Sequence, residues 1–126
     1  MIGFDRNNSD AIGFVYEALS CRAITRSDVK AWAIKMLLDN DVDELPMCII
    51  DLMDFDENSQ DLFKIIGFVP HWRGNKKQKI ALYGVAVKKG RVLTDLGISS
   101  EEALSMLEKH PEIEKRFRET FPFINY

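Results

Sequence analysis

Residues 25–39 read TRSDVKAWAIKMLLD, and this stretch sets the class of the fold. Thr25 stands three residues before Asp28, a weaker form of the pairing in which an N-cap hydroxyl and a third-position side chain exchange bonds with each other's backbone N–H. Ile24 and Val29 occupy the two positions of a hydrophobic staple across that start. Val29, Trp32, Ala33, Met36 and Leu37 follow at helical spacing and form one apolar face. The pattern predicts a helix that ends around Asp39 and Asn40.

The same reading extends in both directions. Upstream, Ile12, Val15, Tyr16 and Leu19 recur at helical spacing, so Asp10 to about Ser20 is expected to be helical. Downstream, Leu45-Pro46 suits a helix start, because proline is tolerated at the first helical position. Met47, Ile49, Ile50, Leu52 and Met53 then make a short, heavily buried helix, with a strand as the alternative. Ser59 suits a cap for a segment that turns Leu62, Phe63 and Ile66 inward, and Pro70, Gly74 and Asn75 mark a turn.

Residues 80–87 are ambiguous, since periodicity alone does not decide a short apolar run. Ala81, Gly84 and Ala86 offer little to a pleated surface and favour a helix, ended by Gly90. Nearer the C-terminus, Ser99 with Glu102 forms a capping box ahead of Ala103, Leu104, Met106 and Leu107. His110 closes that helix and Pro111 opens another, with Ile113, Phe117 and Phe121 inward and Pro122 as its stop. The expected fold is mainly α: a compact single-domain bundle of five to seven short helices over residues 1–126. One small β-hairpin around residues 79–93 stays open as the alternative for that segment.

With 126 residues, 46% of them hydrophobic and 29% charged, the chain has the size and balance of one globular domain. The opening MIGFDRNNSDA lacks the basic and apolar regions of a signal peptide. The longest uncharged apolar stretches, residues 65–69 and 80–87, fall far short of a membrane span. Cys21 and Cys48, the two cysteines, are too few for a disulfide framework and are expected to be reduced and buried. The expected compartment is the cytoplasm, with no membrane association.

The net charge of −3 hides a segregation of signs. Between Lys35 and Lys64 stand nine acids and no lysine or arginine: Asp39, Asp41, Asp43, Glu44, Asp51, Asp54, Asp56, Glu57 and Asp61. From Lys64 to Arg91 the pattern inverts to eight bases, with no acid until Asp95. An acidic face of this density steers a basic partner and sets its specificity. The plainer reading has the two blocks solvated, or partly cancelling each other.

Most chemistries find no support in the residue pattern. Asp39-x-Asp41-x-Asp43 imitates the start of a calcium loop, but Glu44 and Ile50 stand where glycine and glutamate are needed. Asp54-x-Asp56-x-Asn58 fails likewise at Ser59 and Ile65. His71 and His110 have no cysteine near them, so zinc spacing is absent. No nucleophile elbow or phosphate-cradling loop occurs. The expectation is a protein that is not an enzyme and needs no metal and no cofactor. The basic stretch 71–91 carries a weaker, nucleic-acid reading, in which Trp72 stacks on a base and Lys76, Lys77 and Lys79 follow phosphates. The acidic block and the net negative charge oppose it.

Val29-Lys30-Ala31-Trp32-Ala33 on one helix, then an acidic break, then Leu45-Pro46 and Ile49-Ile50-Asp51-Leu52, resembles small immunity proteins of bacterial toxin–immunity systems, of the contact-dependent growth inhibition type. The resemblance covers residues 25–66. It implies a cognate toxin as partner, often a nuclease whose basic cleft an acidic surface occupies in place of a phosphate backbone. The contact residues it points to are Asp39, Asp41, Asp43, Glu44, Asp54, Asp56 and Glu57. Asp51 is left out, since within an apolar run it is expected to cap or to pair in the interior. The alternative function is that of a non-catalytic adaptor or structural subunit.

Overall fold

Three helix starts in this protein are set by side chains, Thr25, Asn75 and Ser99, that take up otherwise unpaired backbone N–H groups. The computed structural model describes residues 10–40, 47–52, 72–91 and 97–125. Six helices lie among them: α1 (Asp10–Ser20), α2 (Arg26–Asp39), α3 (Met47–Leu52), α4 (Lys76–Lys88), α5 (Ser100–Lys109) and α6 (Pro111–Thr120). The described residues are 74% helical and contain no strand, so the fold is mainly α. The segment around Ser59 expected to be capped lies outside them.

Contacts sort the chain into two units, Met1–Glu17 with Thr25–Arg73, and Ala18–Ile24 with Gly74–Tyr126. In the first, Thr25 and Asp28 form the full reciprocal cap. Asp28 N–H donates to Thr25 Oγ1 at 3.2 Å, and Thr25 N–H donates to Asp28 Oδ2 at 2.8 Å. Helix α2 buries Val29, Trp32 and Ala33, while Met36 and Leu37 are only half-buried. It packs on α3, where Ile49 and Leu52, one turn apart, are fully buried. Trp72 is also interior: its ring meets that of Phe14 edge-on at 5.1 Å. The adjoining Arg73 N–H donates to Asp10 Oδ1 at 3.0 Å.

The second unit is organised by α4. Its start is a reciprocal box, with Gln78 N–H donating to Asn75 Oδ1 at 2.8 Å and Asn75 N–H to Gln78 Oε1 at 3.0 Å. Its end is a left-handed turn at Gly90, φ 87°, where Arg91 N–H returns to Ala86 O at 3.0 Å. Residues 79–88 are therefore helical, and the hairpin alternative does not hold there. The reason is packing as well as caps. A Cβ on Gly84 would stand 2.5 Å from Ala103 O and 2.8 Å from Leu107 Cβ, so only glycine lets the backbones of α4 and α5 approach this closely. Ser99 Oγ caps α5 by accepting from Glu102 N–H at 3.1 Å. His110 ends α5 and Pro111 opens α6, which buries Ile113 and Phe117. Cys21 is buried, and its thiol donates to Ala18 O. Lys89 Nζ donates to Ala23 O.

Candidate protein-binding surface

A helix carries partial positive charge at its N-terminus and partial negative charge at its C-terminus, so acids suit the first turn and bases the last. Helices α5 and α6 follow this order at their starts and balance the signs at their ends. The former has Glu101 and Glu102 first and Glu108 beside Lys109 last, the latter Glu112 and Glu114 first and Arg118 beside Glu119 last. Helix α2 obeys it only at its start, with Asp28, and has no base in its last turn. It ends instead on Asp39, whose side chain is 54% exposed and accepts from Lys35 Nζ at 2.6 Å. Asn40 Nδ2 closes the terminus by donating to Met36 O at 3.0 Å.

Beside Asp39 stands Leu38, 81% exposed. Ile34, one turn earlier on the same side of α2, is 37% exposed, and Ile50 on α3 is 38% exposed. Asp51 is exposed as well, contrary to the expectation that it would cap or pair in the interior. In a helix that turns Ile49 and Leu52 inward, the two residues between them point out. Two carboxylates and three large apolar side chains are thus solvent-facing on a pair of packed helices. Of the predicted contact residues, Asp39 is the one the structure places. Asp41, Asp43, Glu44, Asp54, Asp56 and Glu57 lie outside the described residues.

The basic stretch divides by role. Lys76 and Lys77 are exposed, and with Lys79 they occupy the first turn of α4, which holds no acid. At the other end Lys88 Nζ pairs with Glu114 at 3.0 Å, and Arg118 reaches the same carboxylate at 3.9 Å. Because Trp72 packs on Phe14, the aromatic needed for base stacking is committed to the interior. A cleft of ≈ 350 Å³ between α4 and α5 carries both signs, Lys76 and Lys79 against Glu102, with Ile80, Tyr83 and Ile98 as apolar walls. A second, of ≈ 480 Å³, has Leu104, Leu107 and Pro111 as apolar lining. The sequence reading did not anticipate either, since each depends on how helices pair.

His110 Nδ1 lies 3.2 Å from Glu112 Oε1. The Glu112 carboxyl is held below its ordinary range, first by a backbone N–H at the start of α6 and then by His110. Among the described residues no group of three or more His, Cys, Asp or Glu is placed to hold a metal ion, and no helix is long and apolar enough to cross a membrane. Comparison with family models, curated proteins and solved structures returns no match.

Proposed function

We propose that this chain is a non-catalytic immunity protein, acting in the bacterial cytoplasm, that neutralises a cognate toxin domain through an acidic surface continuing from the C-terminal end of α2. The observation that carries the reading is the pairing of exposed Leu38 with exposed Asp39 at the helix pole that disfavours a carboxylate. A carboxylate whose adverse place at that pole is only offset by its Lys35 pair is one that folding does not require, and this fits a functional demand. Asp39 also opens the run of nine acids in residues 39–61. Such a surface suits a basic cleft that otherwise holds a phosphate backbone: the carboxylates supply the charge, and apolar side chains among them exclude water.

The test is growth of a host expressing the C-terminal domain of the protein encoded just upstream, with and without this protein. Rescue is expected. Charge reversal of Asp39, Asp41, Asp43 and Asp56 together should abolish it, because each desolvated charge pair broken costs about 2–5 kcal/mol. Rescue that survives the reversal excludes the acidic face as the interface. The adaptor reading draws on one observation of its own, the apolar outer side of α2, and predicts association that salt leaves unchanged.

A further inference from the structure

Helix α2 carries apolar side chains on two opposite sides. At roughly 100° per residue, Val29, Trp32 and Ala33 share the side that is buried. Ser27, Ala31, Ile34 and Leu38 fall together on the other. Their steps of four, three and four residues are those of a seam between paired helices. Ser27 is exposed and Ala31 half-buried, while Ile34 and Leu38 are the exposed large residues already described. The seam is graded in size, small in its N-terminal half and large in its C-terminal half.

We propose that, in the absence of the toxin that Leu38 and Asp39 are proposed to engage, this seam is a self-association surface, on which a second copy of this chain docks its own α2 antiparallel. A twofold axis through the middle of the seam sets Leu38 against Ser27 of the second copy and Ile34 against its Ala31. Every level then pairs a large side chain with a small one, the alternation that fills space between facing helices. Parallel pairing instead stacks Leu38 on Leu38 and Ser27 on Ser27, crowded at one end and empty at the other. The charge order supports the same choice. On one flank of the seam the antiparallel register brings Lys35 within about a turn of Asp28 of the second copy. It also brings Asp39, at the negative pole of its own helix, beside the positive pole of the other α2. On that flank, and in the sizes of the seam residues, the surface is therefore complementary to itself, as a twofold interface must be. With 14 residues, α2 is about 21 Å long. A seam of that length belongs to the small, reversible class of interfaces.

The experiment is sedimentation equilibrium of the full chain across rising concentration, without any toxin present. A monomer–dimer equilibrium is expected, and Leu38→Lys should weaken it by about tenfold or more. That side chain is 81% exposed, so the variant should keep its circular dichroism spectrum. Orientation is read by disulfide trapping, with the unaltered chain as control for its own two cysteines. Ser27→Cys mixed with Leu38→Cys should cross-link, and Ser27→Cys alone should not. A chain that stays monomeric, a dimer indifferent to Leu38→Lys, or Ser27→Cys cross-linking to itself as readily as to Leu38→Cys would each overturn the proposal. A chain that is monomeric at every concentration and loses rescue on Leu38→Lys would assign the seam to the toxin instead.

Discussion

Helices α5 and α6 differ from α2 and α4 in how they treat their own dipoles. The first pair place acids at the start and balance an acid with a base at the end, Glu108 with Lys109 and Glu119 with Arg118, and bury Leu107, Ile113 and Phe117 beneath that surface. Helix α2 ends on an acid, and α4 begins on three bases. Each such placement forgoes roughly 0.3–1 kcal/mol at an exposed site. What the contrast teaches is where to look for function. The charges of α5 and α6 are ones their own dipoles accommodate, while the misordered ends carry charges that folding does not ask for. Both of those ends are also where the sequence segregates its signs.

The largest test of this division falls on α4, whose interior and first turn should behave in opposite ways. Gly84→Ala forces a methyl group against the carbonyl of Ala103 and the Cβ of Leu107. Overpacking costs about 1–3 kcal/mol, and a backbone obstacle puts this site at the upper end. The better helix propensity of alanine returns about 1 kcal/mol, leaving a net loss of about 2 kcal/mol in urea denaturation. A neutral Gly84→Ala would mean that α4 and α5 separate without penalty, and that their close approach is not what holds the unit.

Lys77→Glu should act in the reverse sense. Lys77 is exposed in the first turn of α4, and an acid there meets the positive pole of the helix. A gain of about 0.3–1 kcal/mol is expected at low ionic strength, shrinking as salt rises. If Lys77→Glu destabilises, the lysine is engaged in folding and α4 leaves the misordered group.

Asp39→Asn gives a finer result. It removes an exposed Lys35 pair, worth about 0.3–0.5 kcal/mol within a helix, and at the same time relieves the pole of α2 of an adverse charge. The two changes nearly cancel, so stability should move by less than about 0.5 kcal/mol. Binding of the proposed toxin partner, in contrast, should weaken measurably in calorimetry. A drop in stability with binding unchanged would make Asp39 a folding residue and remove the basis of the proposed surface.

Much of the fold is legible in the sequence because helix ends announce themselves. Thr25, Ser99, His110 and Pro111 are read from local chemistry, and the structure places each at the helix end expected of it. Asn75 is as local a signal, followed by Gln78 at the right distance, yet it reads as a turn while residues 80–87 remain open between helix and hairpin. Gly84 resolves that choice through Ala103 and Leu107, residues far along the chain, which no local rule supplies. The candidate surface is harder. One apolar side of α2 accounts for Val29, Trp32 and Ala33, and the same run hides a second side in Ile34 and Leu38. Asp51 misleads for a related reason: a six-residue helix among apolar neighbours looks wholly buried until Ile49 and Leu52 are seen to take the inward positions.

The smallest effect concerns Glu112, where an ordered helix start should leave a trace in pH. A backbone N–H at the start of α6 and the neighbouring His110 hold its carboxyl below the ordinary range. A carboxyl whose folded pKa is depressed binds fewer protons in the folded state than in the unfolded one. Its contribution is complete above the unfolded pKa and is lost as pH falls through the lower folded value. Thermal midpoints of the unaltered chain should therefore exceed those of Glu112→Gln at neutral pH, and the two should converge in acid. Because the side chain is exposed, the separation will be slight and should narrow further in high salt. A difference that persists unchanged into acid would assign the role of Glu112 to shape rather than charge. The start of α6 would then owe nothing to the ordering that sets it apart from α2 and α4.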